Sequence, residues 1–198
     1  MKFFVSHRTL TVAAFLASGI TGLAFAQIAP QPVAQDKMDV RFVSKQMNVP
    51  IEGKFSKFKA SVAFDPTRLD QSKAQFEVDL ASINMGLDEA ETEVKGPAWF
   101  DTARFPVATF ASSSVKALGG NKYEAAGKLT IKGITRDVVA PFTLTPKPGG
   151  TNDVAGALVI KRLDYKIGDG TWSDTDTVAN EVEIRFKLSL PAVAASSK

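Results

Sequence analysis

The carboxylates are the residues of this chain best able to do chemistry, and they form two groups. Four aspartates (Asp164, Asp169, Asp174 and Asp176) share a glycine-containing stretch, and three glutamates occupy alternate positions over residues 89–93. The aspartate spacing does not fit an EF-hand, which needs Asp-x-Asp-x-Asp-Gly and a later glutamate. A turn-rich polar loop and a solvated helix face are the simpler interpretations. A metal role for the glutamates lacks complementary ligands in the sequence.

Histidine and cysteine limit the reactions that the chain could catalyse. The sequence holds a single histidine, His7, and no cysteine. Because His7 lies in a predicted cleaved leader, the mature chain would have neither residue. This excludes cysteine nucleophiles, Ser-His-Asp triads, histidine bases and zinc sites built from His or Cys. An enzyme that uses paired carboxylates or a lysine on a lipid-like substrate remains an alternative, although no recognised constellation is present.

The first 26 residues have the pattern of a secretory signal peptide. Positive residues precede an apolar run over residues 10–25, and residues 24–26 form an A-x-A cleavage site. We therefore expect cleavage after Ala26 and export to the periplasm. The leader holds two of the 24 Lys and Arg residues and none of the 21 Asp and Glu residues, so the mature chain has a net charge of +1. Basic and acidic residues alternate along the chain, which argues against a nucleic-acid partner.

Most of the remaining sequence alternates apolar and polar residues with a period of two. This period indicates β-strands with one dry face and one wet face. Residues 182–190 are the clearest case, because Val, Ile, Phe, Leu and Leu alternate there with Glu, Arg, Lys and Ser. Residues 39–49 predict a first strand that Pro50 and Gly53 break. About eight strands follow from this pattern.

Other parts of the chain lack the strand period. Residues 87–94 are rich in helix formers and predict one helix of two or three turns, ended by Gly96-Pro97. Residues 27–37 predict a flexible lead-in, and residues 192–198 predict a disordered tail. The folded domain is therefore expected over residues 38–191.

About eight antiparallel strands and one short helix predict an all-β fold. One helix cannot cover so many apolar strand faces, so the sheet must form a sandwich or close into a barrel. A barrel of this size either fills its interior or holds one small ligand, and periodicity leaves both outcomes open. A transmembrane barrel fits less well, because charged strand faces would crowd its lumen and two Tyr and two Trp are too few for two aromatic girdles.

A series of motifs runs along residues 38–190. They are VPIEGKFSKF (49–58), FDP (64–66), ASI (81–83), WFDTARFPVATF (99–110), GKLTIKGITRD (127–137) and RLDYKIG (162–168). In this order they resemble the YceI family of exported, lipocalin-like barrels, and LTIKGITR is the most specific piece. The resemblance implies an eight-stranded antiparallel lipocalin-like barrel with one short helix. Its apolar lumen would hold a long-chain amphiphile, namely a polyisoprenoid, a polyprenyl quinone or a fatty amide. No catalytic chemistry and no metal are implied.

Side chains alternate between the inner and outer face of a strand, and this alternation, together with motif position, suggests which residues would contact such a ligand. The expected lining residues are Phe58, Phe64, Phe76, Phe110, Leu129, Ile131, Phe142 and Leu158. The expected mouth or lid residues are Trp99, Phe100, Phe105, Tyr165 and Trp172. Ordinary core packing explains each of them equally well. Arg104, Arg136 and Arg162 are candidate anchors for a polar head group, although an exposed salt bridge is the simpler role for each.

Three functions are compatible with these observations. The first is a soluble exported barrel that binds and sequesters or carries the amphiphile, with a bound polyprenyl lipid or quinone as ligand and no cofactor. Loading would then involve transient contact with a membrane or a membrane protein, and a homodimer is left open. The second is a periplasmic adaptor or stress protein with a filled core. The third is the carboxylate-based enzyme. A ligand in the purified protein would favour the first, a dry filled barrel the second, and turnover the third.

Overall fold

The computed structural model of the protein describes residues 28–191. The predicted signal peptide (residues 1–26) and the predicted disordered tail (residues 192–198) lie outside the described residues. Among the helices of the described part, none is long and apolar enough to cross a membrane.

Over residues 28–191, eleven β-strands form one antiparallel sheet. Their bounds are β1 (Gln31–Val33), β2 (Met38–Gln46), β3 (Val49–Phe55), β4 (Phe58–Ala63), β5 (Lys73–Asp79), β6 (Ile83–Asn84), β7 (Val107–Gly119), β8 (Lys122–Ile131), β9 (Ile134–Lys147), β10 (Thr151–Lys161) and β11 (Glu181–Pro191). The helix α1 (Asp88–Lys95) follows β6. Neighbours in the sheet run in the order β1-β4-β5-β7-β8-β9-β10-β11-β2-β3-β6.

The sheet curls into a barrel because the chain itself joins its two edges. β6 lies at one edge beside β3 and follows β5 through the 3-10 turn Leu80–Ser82. At this junction the backbone N–H and the hydroxyl of Ser56 both donate to the carbonyl oxygen of Ser82, each over 3.1 Å. The N–H of Asp79 donates to the carbonyl oxygen of Lys57 over 3.0 Å. The predicted all-β, lipocalin-like antiparallel barrel with one short helix is confirmed.

The number of strands is larger than the eight predicted, partly because one predicted strand is two. Residues 39–46 belong to β2, and residue 49 begins β3, which pairs with β2 as a hairpin. Its turn residues Met47 and Asn48 have φ values of 49° and 63°. Two consecutive left-handed residues match the right-handed twist of the flanking strands, so this turn suits a hairpin.

Pro50 and Gly53, predicted to break the first strand, lie inside β3. Pro50 pairs with Lys45 of β2, and the other side of β3 is paired with β6 through Lys54 and Phe55. Proline is tolerated in β3 because much of that second side is an open edge. Glycine is required at position 53 because the Phe42 ring lies close to the backbone there. A Cβ atom at Gly53 would lie 2.3 Å from Cζ of Phe42.

Part of the segment predicted as a flexible lead-in belongs to the sheet. β1 pairs with β4 in the register Gln31↔Val62 to Val33↔Ala60. A 3-10 turn at Gln35–Lys37 then leads into β2. The two prolines of this segment led to the prediction of a loop. Proline is acceptable in β1 because β1 is a terminal strand of the sheet.

The helix α1 lies within one residue of its predicted position. Acidic residues occupy its first turn and Lys95 its last, an arrangement that complements the helix dipole. Gly96 ends the helix, as expected, and none of the eight residues of α1 is buried. The helix therefore lies on the barrel rather than inside its core.

Two hydrophobic clusters lie at opposite ends of the barrel interior. β10 shows the separation, because it contributes Ile160 to the first cluster and Val154 to the second. The first, here called the helix-end cluster, consists of Leu80, Ala108, Leu129, Ile131, Ile160, Tyr165 and Ile167. The second, the far-end cluster, consists of Tyr123, Leu144, Val154, Leu188 and Leu190. Within the part of the chain that the structure describes, these clusters contain most of the buried apolar residues.

Asp65 organises the turn after β4. Its side chain accepts hydrogen bonds from the hydroxyl of Thr67 over 2.6 Å and from the Thr67 N–H over 2.8 Å, and Nε of Arg68 lies 2.9 Å from its second oxygen. These interactions, led by the Thr67 hydroxyl, lower the pKa of Asp65 below its usual range although burial opposes them. The residue is 5% exposed, so the turn depends on a buried, satisfied carboxylate.

Replacing Asp65 by alanine should lower the free energy of unfolding at pH 7 by about 1–3 kcal/mol, because buried donors lose their acceptor. Since folding depresses the pKa of Asp65, its contribution is present above the unfolded value of about 3.9 and is lost as the pH falls through the folded value. Urea unfolding of wild type and Asp65→Ala at pH 7 and pH 3 measures the effect. The difference should shrink at pH 3, whereas the exposed control Asp137→Ala should differ little from wild type at either pH. A difference that is equal at both pH values would contradict this prediction.

A candidate ligand cavity

A cavity of about 400 Å³ lies inside the barrel. This volume falls within the range of about 300–1,000 Å³ that small-molecule sites usually occupy. The strands supply its walls through alternate residues, as β2 does with Val40, Phe42, Ser44 and Gln46. Successive side chains of a strand point to opposite faces, so the period of two in the sequence selects the residues that face the lumen.

Small residues leave space in the middle of the lumen. Ala125 of β8 and Ala140 of β9 are direct cross-strand partners, and both are buried and line the cavity. Partners on one face of an antiparallel pair have Cβ atoms about 4.5–5.5 Å apart. Two alanines at such a position therefore leave room between larger neighbours such as Phe110 and Phe142, which also line the cavity.

The structure brings most of the residues predicted to contact a ligand to this cavity. Ten of them line it: Phe64, Phe76, Trp99, Phe100, Phe110, Leu129, Ile131, Phe142, Leu158 and Trp172. Contact between these residues and a ligand stays a prediction.

Three of the predicted residues lie away from the cavity lining. Phe58 begins β4 opposite Val78 and is half-buried. Phe105 packs against the turn at Gly133. The guanidinium carbon of Arg104 lies 5.2 Å from the centroid of the Phe105 ring. Tyr165 is packed in the helix-end cluster, where burial raises the pKa of its hydroxyl. Strand parity predicts which face a residue occupies, but not how far along the barrel the lumen extends.

Sequence reasoning missed several residues of the wall. β2 and β11 contribute inward residues, and α1 contributes Ala90, Glu93 and Val94. The alternation in β11 is a clear signal, and the same parity rule would have added Val182, Ile184 and Phe186. For α1, no pattern in the sequence indicates that its face lies over a cavity.

The polar groups of the wall concentrate at the end near α1. Ser44, Gln46, Glu93, Arg162 and Trp172 line the cavity there, and Lys73 lines it near the far-end cluster. The inward face of β2 shows the gradient, because it changes from Val40 and Phe42 to Ser44 and Gln46 toward this end. Apolar residues surround most of the remaining volume. The site is therefore an apolar lumen with a polar end.

Arg162 is buried at the polar end and has no carboxylate partner among the described residues. It is 1% exposed, and burial lowers its pKa. Its N–H groups donate to five backbone carbonyl oxygens, those of Ile167, Gly168, Trp172, Val178 and Ala179. Because a guanidinium carries five N–H donors, all of them are used. Arg162 therefore holds residues 162–180 together and has no donor left for a ligand.

The simpler role expected for the three arginines, an exposed salt bridge, holds for one of them. Arg104 is exposed and lies 3.4 Å from a carboxylate oxygen of Asp101. Arg136 is exposed and donates to the backbone carbonyl of Asp164 over 3.3 Å. For Arg162 the expectation was wrong, because carbonyl oxygens on a folded loop can satisfy a buried guanidinium without an ion pair.

Two tryptophans border the polar end. Trp99 and Trp172 have ring centroids 5.5 Å apart at an interplanar angle of 51°. Nε1 of Trp172 donates to Oε1 of Glu93 over 3.1 Å, whereas Nε1 of Trp99 is buried with no hydrogen-bond partner. The guanidinium of Arg162 lies 5.9 Å from the Trp99 ring centroid. The aromatic pair thus connects α1 to the loop that Arg162 holds.

The aspartates of residues 164–176 form turns and do not converge on a metal site. Asp174 accepts hydrogen bonds from the hydroxyl of Thr177 over 2.8 Å and from the N–H of Asp176 over 3.0 Å. The Thr177 hydroxyl contributes most to the lowered pKa of Asp174. Within residues 28–191 no group of three His, Cys, Asp or Glu residues is placed to hold a metal ion.

Family comparison agrees with this architecture. A YceI-like domain model matches residues 32–190. The chain belongs to the YceI family. The crystal structure of BcnA from Burkholderia cenocepacia is similar to this YceI chain, with 46% sequence identity, a TM-score of 0.77, and coverage of 80% of this chain and 99% of that one.

More distant relatives share the fold or a part of the sequence. A polyisoprenoid binding domain from Saccharophagus degradans, implicated in plant cell wall breakdown, has a TM-score of 0.64 at 18% identity and covers 85% of this chain and 100% of that one. At that identity the likeness shows the fold. The UPF0312 protein of Azotobacter vinelandii is 30% identical over 87 residues, which are 44% of this chain. The YceI chain spans 45% of the length of that relative.

Replacing Arg162 should destabilise this YceI barrel more than any surface substitution. Arg162→Met leaves five buried or partly buried carbonyl oxygens without their donor, and we expect a loss of about 3–5 kcal/mol in the free energy of unfolding. Arg162→Lys keeps the charge but lacks the planar fork, so it should recover less than half of the loss. Urea unfolding followed by tryptophan fluorescence measures both variants. The exposed control Arg136→Met should change stability little, and an Arg162→Met variant as stable as this control would contradict the prediction.

Proposed function

We propose that this protein binds a long-chain amphiphile in its lumen and sequesters or carries it. The candidate ligands are a polyisoprenoid, a polyprenyl quinone and a fatty amide. The observation that carries the proposal is the apolar cavity of about 400 Å³, whose polar groups lie at its ends. Each CH₂ group moved from water into such a lumen contributes about 0.8 kcal/mol, so a long chain binds without many specific contacts.

The distribution of polar groups supports one orientation of the ligand. The chain would lie along Phe142, Phe76 and Phe110, with its head group at the end near Ser44 and Gln46. An uncharged head that forms hydrogen bonds fits this end best. Arg162 has no donor left for an anion, and the carboxylate of Glu93 lines the same region. An anionic head would meet Lys73 at the opposite end.

The proposal needs no catalytic residue. In the described chain, Glu93 is the carboxylate that lines the cavity. The other charged residues of the lining are Lys73 and Arg162. Arg162 is fully occupied by carbonyl oxygens, and Lys73 belongs to the far end. General acid–base catalysis needs groups within hydrogen-bond reach of one reacting atom, so the distribution of these groups supports a binding role over a catalytic one.

We also propose that the protein acts in the periplasm after removal of residues 1–26. Its cargo would then be exchanged through transient contact with a membrane or a membrane protein. Met47 and Val49 of the β2–β3 hairpin are 75% and 58% exposed, and Leu87 before α1 is 67% exposed. The antiparallel pairing of β3 with β6 directs Leu87 toward this hairpin. These residues offer an apolar rim at the helix end of the cavity.

Native mass spectrometry of protein from the periplasm, prepared without detergent, tests the binding function directly. We expect a stoichiometric extra mass that organic extraction releases as one prenyl or acyl chain. Apo protein that also refuses added geranylgeraniol, ubiquinone and oleamide would overturn the proposal. Recovery from the periplasmic fraction with residue 27 at its N-terminus would support the location, and recovery with residues 1–26 intact would contradict it.

Filling the lumen should weaken binding without changing the outer surface. Ala140→Phe places a ring in the middle of the cavity and removes space for several CH₂ groups, so affinity for geranylgeraniol should fall at least about tenfold. The matched control is Ala155→Phe, at an exposed position of β10. Fluorescence titration measures the affinities, and circular dichroism checks the fold. Equal affinity in both variants would place the ligand outside the lumen.

A further inference from the structure

We propose that α1 is a lid over the helix end of the cavity, and that the hydrogen bond between Trp172 and Glu93 holds it closed. This inference rests on the proposed function, because a lid matters when cargo passes into the lumen. It adds a path for cargo and a residue pair that controls the rate of exchange.

The first argument is the combination of position and burial. Ala90, Glu93 and Val94 line the cavity, so α1 forms part of its wall. None of the residues of α1 is buried, and Leu87 just before it is largely exposed. Moving α1 away would therefore expose little packed surface of the helix itself. Segments with few buried contacts open at a small fraction of the global free energy of unfolding.

The two ends of α1 are attached very differently. At the C-terminal end the carbonyl oxygens of Val94 and Lys95 accept backbone hydrogen bonds from Phe100 and Thr102, each over 3.0 Å. The carbonyl oxygen of Gly96 accepts one from Asp101 over 2.9 Å. This end is tied to the segment that leads into β7. It can act as the pivot.

The N-terminal end has weaker attachments. Leu87 provides no side-chain cap. Gly86 has a φ of +76° and open space around its Cβ position. Glu91 accepts the N–H groups of Met85 and Gly86 over 2.8 Å and 3.2 Å, so this turn is tied to the helix and not to the opposite wall. Chain segments next to an element end commonly absorb hinge motion.

One side-chain contact spans the gap between α1 and the opposite side of the mouth. Trp172 donates to Glu93 across a sequence separation of 79 residues, and Trp172 lies on the loop that Arg162 fixes. The bond is exposed to solvent, so breaking it costs little more than one ordinary hydrogen bond. The geometry therefore places a weak latch between a rigid loop and a helix whose two ends differ in how firmly they are attached.

Spin labels can detect the opening without any cargo. The sequence has no cysteine, so Leu87→Cys and Val139→Cys introduce one label on the lid side and one on the outer wall. Both positions are exposed. In this pair, Trp172→Phe should broaden the distance distribution and shift it to longer distances. The control pair Val107→Cys and Val139→Cys, both on the barrel, should not change.

Cargo exchange supplies the second readout. We expect geranylgeraniol to pass from the loaded protein to phosphatidylcholine vesicles about fivefold faster in Trp172→Phe and in Glu93→Ala, because the latch is worth about one hydrogen bond. Glu93→Gln keeps an accepting oxygen, so it should exchange more slowly than Glu93→Ala. Glu89→Gln, on the same helix but outside the cavity lining, is the matched control and should exchange at the wild-type rate.

The outcomes separate the lid from the binding function. Unchanged label distances together with unchanged exchange rates in Trp172→Phe and Glu93→Ala would overturn the lid. Faster exchange in Glu93→Gln equal to that in Glu93→Ala would overturn the hydrogen bond as the latch. If the wild-type protein takes up no geranylgeraniol while the labels still move apart in Trp172→Phe, the result would contradict the binding function and support the movement of α1.

Discussion

The structure depends on one constraint, which is that a curled antiparallel sheet satisfies most of its backbone polar groups within itself. Neighbouring strands pair around the barrel, and the β3–β4 and β5–β6 connections bond across its edges. The lumen then needs no polar group for the backbone, so alternate side chains can make it apolar. Charged residues such as Lys59 and Glu77 pair across strands on the outer face. A lumen of this kind favours an apolar chain over water.

An interior that is left partly empty gives up packing contacts. Atoms that line a void lose their partners on one side, so an unfilled lumen is a poor source of stability. Here the packed residues form clusters at the two ends of the barrel, and Ala125 and Ala140 keep the middle open. A ligand that binds the folded state alone adds stability, by about 2.7 kcal/mol when its concentration is one hundred times the Kd. Cargo would therefore act as part of the core.

Arg162 fixes the loop that borders the polar end of the cavity. Burying a guanidinium is costly unless its donors are satisfied, and here five carbonyl oxygens from one loop satisfy them. The same bonds fix the loop that carries Trp172. Trp172 in turn contacts both Trp99 and Glu93, so the position of α1 depends on the loop. A structural arginine thus sets where the mouth lies, and in the proposed function Ser44 and Gln46 would contact the head group.

The alternation of residue types along the sequence determined the all-β barrel, the short helix and most of the inward residues, because side-chain direction in a strand has a period of two. The motifs made the family recognisable. The tertiary structure decided where the lumen begins and ends, and so it placed Tyr165 in the core and Phe105 against the turn at Gly133. It also decided that α1 covers the cavity and that Arg162 bonds to carbonyl oxygens. Parity reports which face of a strand a residue occupies, whereas these outcomes depend on contacts between segments far apart in the chain.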